Sequence, residues 1–276
     1  MGFKVGSATQ ALGGARVKRG DYIGGIANAG SSEGVRYNRV GGQILFLPHR
    51  ARAARALRGH RREVAHLTPR TTERFTIAGP AGALEIVLNI PDTAPRGVAL
   101  VAHPHPQQGG TLDNKVAQTL AKTFFAMGYV ATRFNFRGVG ASEGTFDDGA
   151  GETDDALAAL AHARARFGDL PVALAGFSFG AFVQTRVAAS VRAERLVLVG
   201  PAVQRFAETT VPADTIVVHG EEDDVVPLAA VLAWARPQQL PLVLFPGCGH
   251  FFHGRLPQLQ RTISALWRGY AERIDA

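Results

Sequence analysis

The fold is constrained most strongly by a regular alternation of short apolar segments with helical segments, which runs from about residue 72 to the end of the chain. The apolar segments have little polar interruption, which is typical of strands in a sheet that is covered on both faces. Alternation of this kind indicates parallel strands that are connected by crossover helices.

The sequence therefore predicts an α/β fold, with an eight-stranded, mostly parallel sheet, helices on both faces and no cap domain. The first two strands flank a Gly-Pro-Ala-Gly turn and should form an antiparallel hairpin at one edge of the sheet. We place the strands at 72–78, 83–90, 97–103, 129–136, 171–177, 195–200, 214–220 and 241–247. We place the helices at about 114–127, 151–167, 179–191, 227–235 and 252–272.

The positive charge of the chain is confined to its first part. The formal net charge is +7, but residues 1–70 carry 13 Lys and Arg against three acidic residues, a balance of +10. The remaining residues have a balance of −3. A net positive charge can indicate nucleic-acid binding. Here that partner is expected, if at all, only through the basic leader and not through the folded part.

Two domains are predicted from this division. Residues 1–70 form a Gly/Arg-rich leader, irregular or disordered or not native, and residues 71–276 form the folded α/β domain. The one candidate helix of the leader, 50–65, has mostly alanine at its apolar positions and would bury little surface. The leader is interpreted as a nucleic-acid- or membrane-binding arm, a targeting peptide, a linker, or the product of a translation start placed too early, with a later start at a codon such as that of Val64 or Leu67.

Other sequence features bound the class of protein. No segment approaches the ~18–20 apolar residues that a membrane span requires. The single cysteine, Cys248, excludes an internal disulfide, and the expected location is the cytoplasm. The sequence carries no information on the oligomeric state.

The segment Gly176-Phe177-Ser178-Phe179-Gly180 follows a predicted strand and leads directly into a predicted helix. This G-x-S-x-G pattern is typical of a nucleophile elbow, in which a strained turn exposes the serine hydroxyl. Gly176 and Gly180 would allow the strand and the helix to pack closely. The context predicts Ser178 as a nucleophile.

A serine nucleophile needs a basic partner, which in turn is oriented by an acid. An acidic loop, Glu221 to Asp224, follows the strand at 214–220, and His250 follows the last strand. Ligands of such a sheet bind at the carboxyl ends of its strands, so all three groups are expected at one edge. From the residues alone, Asp224 is an alternative to Asp223, and His253 is an alternative to His250.

From about residue 72 onward, the chain resembles the α/β-hydrolase superfamily, over about three quarters of its length. A small bacterial subgroup without a lid domain is indicated by the stretches HPHPQQGGTLDNKV (103–116) and NFRGVGASEG (135–144). The family pattern G-x-x-D-x-x-V-P falls on 220–227 and implies Asp223 as the acid. The pattern G-x-x-H-x-F falls on 247–252 and implies His250 as the base.

The resemblance also implies an oxyanion hole made of two backbone N–H groups. One belongs to Phe179, the residue after the nucleophile. The other is expected from His105, with Gln107 as the alternative because Pro106 has no N–H. His103 and His105 are expected to form the loop beside the site, and their use as metal ligands is the alternative. Asp113 or Asn114 is expected to cap the next helix, Cys248 to be a bystander, and Arg137 to hold loops or contact a substrate anion.

These assignments predict a serine hydrolase that acts through an acyl-enzyme and requires no metal or organic cofactor. Only about 13 residues, 201–213, are available where a lid is usually inserted, so an open, shallow site is expected. The expected substrate is a small acyl ester or thioester, as for a carboxylesterase. The alternatives are an acylaminoacyl- or dipeptidyl-type peptidase and, from another class, a non-catalytic binding module with a basic nucleic-acid-binding arm.

Overall fold

The computed structural model describes residues 39–40, 43–44, 71–205 and 209–274. The chain divides into two units, Met1–Glu63 and Val64–Ala276. In the first unit, strands β1 (Arg39–Val40) and β2 (Gln43–Ile44) pair in an antiparallel manner. The rest of the predicted leader lies outside the described residues.

The second unit contains one eight-stranded sheet with the strand order β10-β9-β8-β7-β5-β6-β4-β3. All pairs are parallel except β3 with β4 and β4 with β6, so the antiparallel hairpin lies at one edge. The predicted α/β fold is confirmed. The strands are β3 (Thr71–Gly79), β4 (Gly82–Ile90), β5 (Gly97–Ala102), β6 (Tyr129–Phe134), β7 (Val172–Phe177), β8 (Arg195–Val199), β9 (Ile216–Gly220) and β10 (Leu242–Phe245).

Within the described residues, five α-helices cover the two faces of the sheet. They are α1 (Lys115–Ala126), α2 (Ala150–Phe167), α3 (Phe179–Ser190), α4 (Leu228–Ala235) and α5 (Leu256–Ile274). Residues of α2, α3 and α4 share one apolar cluster with one face of the sheet, and residues of α1 and α5 share another with the opposite face. Along β8, Leu196 and Leu198 point into the first cluster and Val197 and Val199 into the second, because successive side chains of a strand point to opposite faces.

The burial of the central strands explains why their positions could be predicted from apolar runs in the sequence. Every residue of β5, β6 and β7 is buried, and all of them are apolar or glycine except Thr132 and Arg133 of β6. The edge strand β3, by contrast, alternates between exposed and partly buried residues. The carboxyl ends of β5, β7, β9 and β10 meet at one edge of the sheet, where the candidate residues lie.

The segment between β8 and β9 is short. Its described part contains a single 3₁₀ turn, Val203–Arg205, and no α-helix. In the described residues of this connection, nothing forms a cap over the sheet edge.

Candidate active site

Ser178 lies on the sharp turn between β7 and α3. Its backbone has φ 56° and ψ −118°, a region that costs a residue other than glycine about 1–3 kcal/mol. The turn is held in place because the Ser178 N–H donates to the carbonyl oxygen of Val199 over 2.9 Å. The side chain is consequently presented at the carboxyl end of the central strand, with the residue 7% exposed.

Two glycines allow this turn to pack closely. A Cβ atom at Gly176 would lie 2.3 Å from the carbonyl oxygen of Gly180. A Cβ atom at Gly180 would lie 2.4 Å from the carbonyl oxygens of Ala102 and His103. Any larger residue would push α3 away from β7 and from the end of β5, so the elbow geometry depends on both glycines.

Ser178, His250 and Asp223 form a hydrogen-bonded chain. The Oγ atom of Ser178 lies 3.0 Å from Nε2 of His250, and Nδ1 of His250 lies 2.7 Å from Oδ2 of Asp223. A carboxylate only accepts hydrogen bonds, so Nδ1 carries the proton and Nε2 accepts from the serine hydroxyl. This arrangement can withdraw the serine proton and stabilise the imidazolium that results.

The acid loop fixes Asp223 with its second carboxylate oxygen. Oδ1 accepts hydrogen bonds from the backbone N–H groups of Val225 and Val226, over 3.0 and 2.7 Å. Burial by itself raises the pKa of Asp223, but the hydrogen bonds from His250 and Val226 outweigh it and hold the pKa below its usual value. Asp224, the alternative acid, is exposed, and so is His253, the alternative base.

Two further residues, which the sequence did not single out, shape this chain of contacts. Gly200, directly after β8, leaves room for the imidazole, because a Cβ atom there would lie 3.2 Å from Cε1 of His250. His219, on β9, is fully buried and donates from Nε2 to the carbonyl oxygen of Val226 over 2.9 Å. The sequence signals that could have indicated them are a glycine directly after one apolar strand, Gly200, and a histidine within another apolar strand, His219.

The loop after β5 lies against the elbow. The ring of His105 packs on the ring of Phe179, with a centroid distance of 4.9 Å. The carbonyl oxygen of His105 accepts hydrogen bonds from the N–H groups of Gln108 and Gly110. Phe179 is the first residue of α3 and follows the nucleophile directly. The two residues expected to supply oxyanion donors are thus in contact.

The remaining sequence candidates occupy supporting positions. Arg137 forms an ion pair with the buried Asp155 through two of its guanidinium nitrogens, at 3.1 and 2.9 Å from Oδ2 and Oδ1. Asn114 caps α1, since its side chain accepts from the N–H groups of Val116 and Ala117. Cys248 is buried, and burial raises the pKa of its thiol, which disfavours a reactive thiolate.

Within the described residues, no group of three or more His, Cys, Asp and Glu side chains is suited to hold a metal ion. In the same part of the chain, no helix is long and apolar enough to cross a membrane.

Comparisons with known proteins indicate the family of the chain. A family model described as serine aminopeptidase, S33, matches residues 94–212. The chain is similar to an α/β serine hydrolase homologue from Coxiella burnetii, with 39% identity and a TM-score of 0.66 over 70% of this chain and 96% of that chain. It is also similar to an α/β serine hydrolase without a lid from Xanthomonas campestris, with 37% identity and a TM-score of 0.68 over 74% and 97%.

A sheet of this order with a nucleophile elbow defines the class of α/β hydrolases. The chain belongs to the α/β-hydrolase superfamily, within which it is similar to two serine hydrolases, one of them described as having no lid. Among curated proteins, an uncharacterized protein of Rickettsia prowazekii is 37% identical over 139 residues, which are 50% of this chain. The chain spans 55% of that relative.

Proposed function

We propose that the protein is a serine hydrolase that cleaves small acyl esters or thioesters through an acyl-enzyme. The observation that carries the proposal is the hydrogen-bonded chain from Ser178 through His250 to Asp223. Each of the three groups follows a different strand of one sheet, and no packing role requires them to be aligned in this way.

In the first half-reaction, Oγ of Ser178 attacks the carbonyl carbon of the substrate while Nε2 of His250 accepts the hydroxyl proton. Asp223 stabilises the imidazolium, and the N–H groups of Phe179 and His105 stabilise the oxyanion. The proton then passes from His250 to the leaving alcohol or thiol, and the acyl group stays on Ser178. In the second half-reaction, Nε2 of His250 accepts a proton from a water molecule that attacks the acyl carbon. The bond between the acyl carbon and Oγ then breaks, His250 returns the proton to Oγ of Ser178, and the acid leaves.

The surroundings of the nucleophile support a short acyl group as substrate. The β8–β9 connection is too short for a helical cap, and the similar protein from Xanthomonas campestris is described as lid-less. The side chain of Phe251 is 45% exposed, although its ring lies against the imidazole of His250 with a centroid distance of 5.1 Å. An exposed apolar ring beside the base offers a small apolar contact, which suits a short chain better than a long lipid.

The test is hydrolysis of p-nitrophenyl esters with acyl chains from C2 to C12 by the wild type and by Ser178→Ala. We expect activity that falls with chain length in the wild type and is absent from the variant. Activity that rises up to C12 would overturn the proposed acyl preference, while equal activity in both proteins would remove Ser178 from the mechanism.

The family model supports a second candidate, because its description names a serine aminopeptidase. A peptidase would use the same three groups, so the two candidates differ only in the leaving group. Aminoacyl and acylaminoacyl p-nitroanilides distinguish them. A value of kcat/KM on the anilides above that on p-nitrophenyl acetate would favour the peptidase.

A non-catalytic binding module with a basic arm is the contrasting proposal. It predicts an unreactive serine and nucleic-acid binding through residues 1–70.

A cytoplasmic location is proposed with either function, from the lone cysteine and the lack of a membrane span in the sequence.

A further inference from the structure

We propose that His103 is a positioning residue, which orients the Pro104–His105 peptide so that the N–H of His105 faces the developing oxyanion. This inference rests on the proposed function and adds to it a group that the reaction mechanism itself does not use. The starting observation is a fully buried histidine that bonds only to backbone and lies next to the elbow.

The imidazole of His103 bridges two backbone groups. Its Nδ1 lies 2.7 Å from the carbonyl oxygen of Pro104, and its Nε2 lies 3.0 Å from the backbone nitrogen of Phe136. A carbonyl oxygen only accepts and an amide N–H only donates, so the ring is neutral with its proton on Nδ1. Burial lowers the pKa of His103 to about 3, which keeps this form at every pH near neutrality.

The bond to Pro104 fixes more than one carbonyl group. A trans peptide is planar, so its C=O and the following N–H point in opposite directions. When His103 holds the carbonyl oxygen of Pro104, it also sets the direction of the N–H of His105. Proline follows both His103 and His105, which restricts these two residues to extended backbone. His105 has φ −54° and ψ 122° accordingly.

Gly110 encloses the same carbonyl from another side. A Cβ atom at Gly110 would lie 2.1 Å from the carbonyl oxygen of Pro104, too close for any side chain. The N–H of Gly110 donates to the carbonyl oxygen of His105 over 3.0 Å. The Pro104–His105 peptide is thus held by a hydrogen bond from the ring, by close packing on Gly110 and by a hydrogen bond at the next carbonyl.

The oriented peptide lies at the nucleophile. The carbonyl oxygen of His103 is one of the atoms that exclude a side chain at Gly180, two residues after Ser178. The ring of His105 packs on the ring of Phe179. The bond from Phe136 to His103 ties this loop to the NFRG stretch after β6, so both subgroup stretches in the sequence meet at His103.

Two substitutions separate the two hydrogen bonds. In His103→Asn, the amide nitrogen can reach the position of Nδ1 and donate to Pro104, but nothing reaches Phe136. In His103→Gln, the amide oxygen can reach the position of Nε2 and accept from Phe136, but the bond to Pro104 is lost. If His103 acts by orienting the peptide, the Asn variant should therefore keep the function. If it acts only by tying the two loops together, the Gln variant should keep it.

The test compares kcat and KM on p-nitrophenyl acetate for the wild type and both variants. It also compares their inhibition by a trifluoromethyl ketone, which forms an oxyanion on the serine, and their unfolding midpoints in urea. For His103→Gln we expect kcat and the affinity for the ketone to fall in parallel, by about 100-fold, with KM unchanged, because a misplaced donor acts on the transition state. In His103→Asn, both kcat and the affinity for the ketone should stay close to the wild-type values. Loss in the Asn variant with retention in the Gln variant, or equal loss in both, would overturn the inference.

A second variant perturbs the peptide without touching the histidine. Gly110→Ala forces a Cβ atom against the carbonyl oxygen of Pro104 and should also lower kcat and ketone affinity together. The matched control is Gly109→Asn, since Gly109 has open space around it and φ 78°, a conformation that asparagine tolerates. Gly110→Ala with wild-type kcat and ketone affinity would contradict the inference.

Failure of the proposed function is distinguishable. If the wild type neither hydrolyses the ester nor is labelled by a fluorophosphonate, the serine hydrolase itself is wrong. If the wild type is active and the His103→Gln variant matches it, only the positioning role is wrong.

Discussion

The two adjacent carboxylates of the acid loop have opposite surroundings. Asp223 is 6% exposed, and its oxygens accept hydrogen bonds from His250 and from two backbone N–H groups. Asp224 is exposed to solvent. Only the first carboxylate is therefore placed to orient the imidazole, and this difference can be tested with a matched pair of isosteric substitutions.

We expect Asp223→Asn to lower kcat on p-nitrophenyl acetate by about 10⁴-fold, because the amide favours the wrong imidazole tautomer and cannot stabilise the imidazolium. Asp224→Asn should turn over like the wild type. The check is steady-state kinetics of both variants beside the wild type. Equal losses of kcat in the two variants, or a loss confined to Asp224→Asn, would show that the assignment of Asp223 as the acid is wrong.

The sequence predicted the loop that carries the acid, but not which carboxylate of that loop orients His250. The spacing of the strands indicated where Glu221 to Asp224 would lie, because the end of a buried strand is readable from its apolar run. Which carboxylate turns inward depends on the backbone of the turn, where Oδ1 of Asp223 meets the N–H groups two and three residues later. Such local geometry leaves no signal in composition or spacing, and the resemblance to the family supplied the choice of Asp223.

Among the elements, α3 packs closely on β7 and on the end of β5. The Cβ positions of Gly176 and Gly180 are both occupied by backbone atoms of a neighbouring element. Backbone atoms cannot rotate away as a flexible side chain can, so the strand and the helix must separate to admit even a methyl group. The elbow is therefore a packing requirement of the fold as well as a chemical feature.

We expect Gly176→Ala to lower the free energy of unfolding by about 3 kcal/mol, the upper range for overpacking a tight core. Gly269→Ala, in α5, is the control, because a Cβ atom there has nothing within 4 Å and alanine stabilises a helix by about 1 kcal/mol. Urea unfolding of both variants measures the difference. An unchanged stability for Gly176→Ala would show that the elbow tolerates a side chain.

Element boundaries were less predictable than element types. In the described residues, the eight strands of the sheet and the five helices coincide with the predicted segments to within a few residues, because the central strands are mostly apolar and helices follow most of them. The last helix was predicted to begin at residue 252, and this is wrong, since α5 begins at Leu256. Phe252 and Gly254 have φ 53° and 71°, so the chain turns there before the helix starts. The contact of His103 with Phe136 could not be predicted from the sequence either, because it joins residues 33 positions apart.

For the whole molecule, the division at residue 70 remains a prediction that rests on charge. The leader has a balance of +10, and the solved structures described above cover 70% and 74% of the chain. The eight-stranded sheet begins with β3 at Thr71.

We expect deletion of residues 1–70 to leave kcat/KM on short esters unchanged, because no residue of the proposed mechanism precedes His103. Any salt-sensitive retention on immobilised nucleic acid should disappear with the deletion, since basic side chains bind phosphates with release of counterions. Ester kinetics and salt elution of the two chains are compared directly. A loss of ester activity in the folded shorter chain would show that the leader belongs to the enzyme.

The most direct test of the central claim is covalent labelling by a fluorophosphonate, followed by mass spectrometry of the labelled peptide. Such a reagent modifies a serine that is activated by a neighbouring base and leaves inert serines unchanged. We expect one adduct on Ser178 in the wild type, and none in Ser178→Ala or His250→Ala. A wild-type protein that is folded and remains unlabelled, or is labelled at another serine, would contradict the account.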